Sequence, residues 1–268
     1  MGFKRLEPQD FVVSADAVES TAWSTNQPTL TTFFTSSVQA AGTSGNFYLS
    51  VYQTASNNNN AAIQFDIAYG NIKGSGSSYY NPTFENLTPA STTYGQYRTM
   101  ILEDENANFI FGDGNNQITG SDFWVISVDR ARFKEKIFPS TFNLTLSGSG
   151  GIDNLHLTSD VNETNIQTFL GSTRVLQIIS GSNGVAHGTS GYVDGSGSYG
   201  LLFPEIGTAL LNPSAISQSI HLTPVVTSNT TNGTNQSLLY SSIRNGASFT
   251  LNAEETITSD YVFVRSRN

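Results

Sequence analysis

The stretch SDFWVISVDRARFKEKIFPSTFNLTLSG, residues 121–148, decides how the fold is read. It opens on a continuous apolar run and ends on FNLTLSG, where Phe142, Leu144 and Leu146 alternate with polar residues. Alternation of period two marks a strand with one face buried. Between the two runs lie Arg130, Arg132, Lys134 and Lys136, four of the twelve Lys and Arg residues in the chain. As a strand, this middle segment puts all four cations on one face, opposite Ala131, Phe133, Glu135 and Ile137. As a short helix, it stacks Phe133 on Ile137 one turn apart and ends at Pro139. The helix is the expected form.

The same alternation recurs along the chain. NFYLSVYQT places Phe47, Leu49 and Val51 on one face, and AIQFDIAYG does so with Ile63, Phe65, Ile67 and Tyr69. The polar connection ASNNNNA between them suits a hairpin. SFTLNA repeats the pattern with Phe249 and Leu251, whereas DYVFVRS is apolar on both faces and reads as a buried or interface strand. Glycine- and serine-rich turns such as SGSGG and SGSNGVAHGTSG punctuate these runs. The fold expected is mainly β: an antiparallel β-sandwich or barrel with long Gly/Ser/Asn loops and one or two short helices. One helix should begin in LNPSAISQS, where Asn212 can cap it and Pro213 suits its first turn. SGSGG at 147–151 divides the chain into an N-terminal arm plus β domain over 1–150 and a second β domain over 151–268, unless it is a hairpin turn within one domain. The recurrence of F-x-L at Phe47, Phe142 and Phe249 is too short to establish an internal repeat.

Composition narrows the function classes. Among 268 residues, charged side chains are 12%, about half the usual share of roughly 25%, and the net charge is −9. An acidic chain repels phosphate backbones, so nucleic acid is not an expected partner. With no cysteine, disulfides and thiolate metal sites are excluded. MGFKRLEPQD turns polar before any apolar core, so synthesis in a cytoplasm without a signal peptide is expected. No run approaches the ~18 apolar residues of a membrane helix, so membrane insertion is not expected either.

The chemical motifs are weak. Gly195, Gly197 and Gly200 spell G-x-G-x-x-G, but Pro204 and Gly207 interrupt any helix after them, so a turning glycine loop is expected in place of a nucleotide site. Asp104, Asn106 and Asn108 imitate the start of an EF-hand loop, yet Phe109 stands where the sharp turn needs glycine, and no metal is expected. His156, His187 and His221 read as unconnected surface residues; the first and last are placed in outward-facing strand positions. No G-x-S-x-G elbow is present. A glycosidase pair of carboxylates leaves no local signature. Six N-x-S/T triplets follow from the abundance of Asn, Ser and Thr. No catalytic residue and no cofactor is therefore assigned. Tyr79, Tyr80, Tyr192 and Tyr199 lie in Gly/Ser loops, the composition of adaptable recognition surfaces, and are candidate ligand contacts.

Several longer blocks occur in order: FKRLEPQDFVVSADAV, TLTTFFTSS, YGQYRTMIL, FWVISVDRARFKEKIFPSTFNLTLSG, SYGLLFPEIGTALLNPSAI and SDYVFVRSRN. Over nearly the whole chain these resemble a virion structural protein, of the tail or baseplate kind, from contractile-tailed cyanophages. The resemblance implies a non-enzymatic role at a baseplate or fibre attachment, with other virion proteins and copies of the chain itself as partners. A receptor- or host-glycan-binding module on the virion is the alternative; a polysaccharide depolymerase or a capsid or neck component ranks below it. On this view Arg130, Arg132, Lys134 and Lys136 meet carboxylates across an assembly joint, with a solvated face balanced by Asp129 and Glu135 as the plainer reading. Phe11, Val12 and Val13, beside Pro8, form an apolar arm expected to pack along another subunit or add to a sheet edge.

Overall fold

The computed structural model describes residues 8–36, 48–77, 88–148, 150, 152–162, 174–188, 190–226 and 233–263. The strands are β1 (Phe11–Thr21), β2 (Thr29–Leu30), β3 (Phe34–Thr35), β4 (Tyr48–Tyr52), β5 (Ile63–Asn71), β6 (Phe109–Asp113), β7 (Asn116–Gly120), β8 (Asp122–Val128), β9 (Lys136–Leu146), β10 (Leu155–Ser159), β11 (Leu176–Ser182), β12 (Val185–Ala186), β13 (Gly200–Phe203), β14 (Thr208–Leu211) and β15 (Phe249–Val262). The helices are α1 (Pro89–Leu102), α2 (Pro213–Ile220) and α3 (Thr234–Gly246). The protein is mainly β, as its alternation implies, with three short α-helices among the described residues.

Thirteen strands form one antiparallel sheet in the order β1-β15-β9-β10-β11-β13-β14-β8-β5-β4-β3, with β2 added on β15 and β12 on β11; β6 and β7 form a separate hairpin. Strands from either side of the SGSGG stretch share this sheet, since β15 lies between β1 and β9. The sheet curls on itself. β5 stands seven strand steps from β15 along the order, roughly 34 Å if the sheet were flat. Yet the rings of Phe65 on β5 and Phe249 on β15 are 5.4 Å apart. The two halves of the sheet therefore face one another, sandwich-like, across a common core.

That inner core holds Trp23, Phe65, Phe142, Leu144, Leu211 and Phe249. The inward face of α3 joins it through Leu239 and Ile243, and the Trp124 indole N–H donates to the Asn235 carbonyl at 2.9 Å. A second apolar cluster covers the outside of the central strands: Tyr94 of α1 and Phe109 and Phe111 of β6 pack on Phe123 and Val125 of β8. The run FWVISV is apolar at every parity because Trp124 and Ile126 point inward while Phe123 and Val125 point outward.

Helix α2 starts where expected, with the Asn212 side chain accepting the Ser214 amide at 3.1 Å. Helix α1 begins with a capping box: the Thr88 hydroxyl accepts the Ser91 amide and the Ser91 hydroxyl accepts the Thr88 amide. The Gly195–Gly200 loop is a turn against the β6–β7 hairpin. Gly197 (φ 72°) approaches Phe111 so closely that an added Cβ would stand 2.2 Å from the Phe111 carbonyl oxygen.

The helix expected in VDRARFKEKIFP is corrected to one 3-10 turn, Arg130–Arg132, after which β9 begins at Lys136. The Asp129 carboxylate caps the turn through the Ala131 amide at 2.8 Å. Pro139 is tolerated within β9 because it falls in an irregularity: Thr250 pairs with Asn143 and Asn252 with Phe138, leaving residues 139–142 opposite Leu251 alone. The burial of Ile137 and Phe142 in the inner core outweighs the local helical stacking.

Phe249 is fully buried against Trp23, Phe65 and Phe142, with ring centroids 4.9–5.5 Å away. Phe249→Ala should lower unfolding stability by about 3–5 kcal/mol, read as a reduced denaturant midpoint at unchanged slope.

Candidate functional site

The long strand β15 has two parts. From Phe249 to Ala253 its alternate residues are buried, and it pairs with β2 and β9. Its last pair with β9 is Glu254↔Lys136, but its pairing with β1 continues to Phe11↔Val262. The pairs from Ala17↔Thr256 to Phe11↔Val262 thus form a two-stranded arm, roughly 24 Å long at the antiparallel rise. The Phe263 amide closes its end on the Asp10 carbonyl at 2.9 Å.

The arm is apolar at its tip on both faces. Opposed residues share a face, so Phe11, Val13 and Val262 lie on one side and Val12, Tyr261 and Ile257 on the other. Val13 is 66% exposed and Tyr261 53%. The shaft is acidic: residues 8–21 and 252–263 contain Asp10, Asp16, Glu19, Glu254, Glu255 and Asp260 and neither Lys nor Arg. A lone two-stranded ribbon has no face to bury and is marginal in water, and its outer edges offer unpaired backbone groups. The expected arm residues Phe11, Val12 and Val13 are therefore brought together with a second strand, carrying Ile257, Tyr261 and Val262, and with Phe263 just beyond it, which they did not reveal. Its local signal was the two-faced apolar run in DYVFVRS.

The basic cluster sits at the root of the arm. Lys134 pairs with Glu255 at 2.8 Å and Lys136 with Glu254 at 3.3 Å. Glu254 also stands directly opposite Glu19 on β1, so Lys136 relieves a like-charge pair. Glu135 accepts the Thr256 amide at 2.9 Å, and Asp129 is used as the turn cap; neither forms an ion pair with the arginines. The Arg130 guanidinium lies over the Phe133 ring at 4.5 Å. Arg132 lines a cleft of about 190 Å3 with Phe133, Lys134, Glu254 and Glu255, and its buried Nε has no hydrogen-bond partner. Two of the four cations are thus engaged by carboxylates of their own chain, while the two arginines have no described carboxylate within ion-pair distance.

The candidate tyrosines separate. Tyr199 is a core residue, 5% exposed, with its hydroxyl 2.7 Å from that of Ser219; this removes it from ligand contact at the surface. Tyr192 is half-buried in its loop. Tyr79 and Tyr80 lie outside the described residues. His156 faces outward between Leu155 and Leu157 as expected, and His187 is exposed. His221 is exposed too, but it ends α2 in the left-handed region (φ 56°) and does not lie in a strand. Among the described residues, no three His, Asp or Glu side chains gather as a metal site. What the arrangement offers chemically is binding through apolar surface, free strand edges and arginine.

Compared with protein-family models, curated proteins and solved structures, the chain matches none.

Lys136→Glu would place three carboxylates in one cross-strand row with Glu19 and Glu254. It should lower stability by about 1 kcal/mol, and thermal unfolding at rising salt should show the deficit shrinking.

Proposed function

We propose that this chain is a structural component of a virion, of the tail or baseplate kind, that works by binding its neighbours and not by turnover. The observation that carries the reading is the arm: a projecting ribbon, apolar on both faces at its tip, that the described residues of its own body leave uncovered. Exposed contiguous apolar surface of this kind marks interaction sites. The order of sequence blocks resembling cyanophage virion proteins supports the particle as the setting, with synthesis in the host cytoplasm before assembly. Its partners on this reading are other virion proteins or further copies of the chain. The root cluster would then orient the arm, and Arg130 and Arg132 would be available to carboxylates of a neighbour.

Val13→Asp combined with Tyr261→Asp tests the reading. Both side chains are exposed in the isolated chain, so melting should change by no more than about 0.5 kcal/mol equivalent. Incorporation into particles, read by immunoblotting of purified virions from a complemented deletion, should fall severely. Wild-type incorporation of the double variant would contradict the assembly role of the arm.

A further inference from the structure

The tip of the arm and its root carry opposite needs. At the tip, Asp260 stands directly across from Val13, on the face that also holds Phe11 and Val262. It is exposed, and no described cation lies within ion-pair distance of it. At the root, Arg130 and Arg132 have no described carboxylate within ion-pair distance. The Arg130 guanidinium lies over the Phe133 ring, and its N–H donors make no hydrogen bond among the described residues. Apolar surface borders these arginines too. Gly207 abuts Phe133 so closely that an added Cβ would stand 2.5 Å from the ring, and its neighbour Ile206 is 37% exposed. The tip is therefore apolar with one free carboxylate, and the root is partly apolar with two free arginines.

Tip and root cannot meet within one chain. From Glu254, where β15 leaves β9, to Asp260 the ribbon runs roughly 20 Å at the antiparallel rise. The arginines belong to the turn at its base, and no arginine side chain spans that distance.

We propose that the arm of one copy docks on the root of a second copy of this chain, with Phe11, Val13 and Val262 against the surface beside Ile206 and with Asp260 gripped by Arg130 and Arg132. The proposal rests on the arm reading above and commits it to one partner. Charge selects the arrangement. Two arms laid edge to edge would bring their acidic shafts together, with neither Lys nor Arg among residues 8–21 and 252–263 to separate them. Arm on root instead sets each unsatisfied group against its opposite, and a guanidinium grips a carboxylate through two parallel hydrogen bonds. A different protein would have to satisfy tip and root by separate contacts; a second copy satisfies both with one. A two-fold pair makes this contact twice, and a ring makes it once per copy.

Sedimentation of the purified full chain, with charge reversed at either end of the contact, tests the proposal. The wild-type chain should self-associate with a Kd at or below roughly 0.1 mM. Asp260→Arg at the tip, and Arg130→Glu with Arg132→Glu at the root, should each weaken association at least about ten-fold. Asp260 and Arg130 are exposed, so Asp260→Arg and the single change Arg130→Glu should melt as wild type does; the single change keeps the root testable if the half-buried Arg132 tolerates no carboxylate. Mixing the tip variant with the root variant should restore association. The reversed tip then meets the reversed root, and the other tip and root are the native pair. This swap reads the tip–root charge pair alone, whatever Lys4, Arg5, Arg265 and Arg267 outside the described residues contribute. The proposal is overturned if the wild-type chain stays monomeric up to roughly millimolar concentration, if the tip or root variants associate as wild type does, or if the mixture stays dissociated. A monomeric chain whose Val13→Asp/Tyr261→Asp variant is still excluded from particles would sink only this choice of partner; entry of that variant into particles would sink the arm reading itself.

Discussion

The structure depends on the packing of one ring. Phe249 sits where the two halves of the curled sheet meet, in ring contact with Trp23, Phe65 and Phe142. The Trp23 indole also donates to the Phe249 carbonyl at 2.9 Å, so the ring contact and the backbone are tied at the same residue. Aromatic pairs at these separations add to the ordinary gain from area burial. Without this closure the inner faces of β5 and β15 would lack a partner layer, and a single sheet cannot bury its apolar face alone.

Closure has a second consequence. The strand that seals the core is also the strand that leaves it. β15 is pinned over Phe249–Ala253 and paired only with β1 beyond Thr256. The direction of the arm is therefore set by strand continuity from the core. The Lys134–Glu255 pair at its root is secondary: Lys134 is 77% exposed, and a pair so hydrated is worth about 0–1 kcal/mol. The position of this pair and of Lys136–Glu254 is nonetheless informative. They link Lys134 of the loop after β8 and Lys136 at the start of β9 to the point where β15 leaves β9. An arm presented in a defined direction loses less freedom on docking than a disordered tail would.

Much of this was legible in the residues and some was not, for physical reasons. The runs around Leu49, Phe65, Phe142 and Phe249 became strands because period two survives wherever one face is buried. Helices α1 and α3 carried no clear periodic signal. They are rich in Ser, Thr, Asn and Gln, and their helical form follows from the Thr88–Ser91 cap in one case and from packing of Leu239 and Ile243 in the other. VDRARFKEKIFP misled because its local stacking favoured a helix, while its strand form depends on β15, more than a hundred residues away. For the same reason Glu254 and Glu255 could not be named as partners of Lys136 and Lys134: separations such as the 121 residues between Lys134 and Glu255 leave no local trace. The apolar Phe11–Val13 segment was visible as an arm, but its pairing with Asp260–Val262 was not.

On the assembly reading, the arm is a preformed ribbon that a neighbour covers. Hydrogen–deuterium exchange, followed by mass spectrometry on the isolated chain and on the chain in particles, measures this directly. In the isolated chain, amides of β5, β8 and the Phe249–Ala253 part of β15 should exchange slowly, and those of Phe11–Ala17 and Thr256–Val262 much faster. In the particle the arm amides should become as slow as the core. Arm amides that exchange slowly in the isolated chain, or that stay fast in the particle, would contradict that reading.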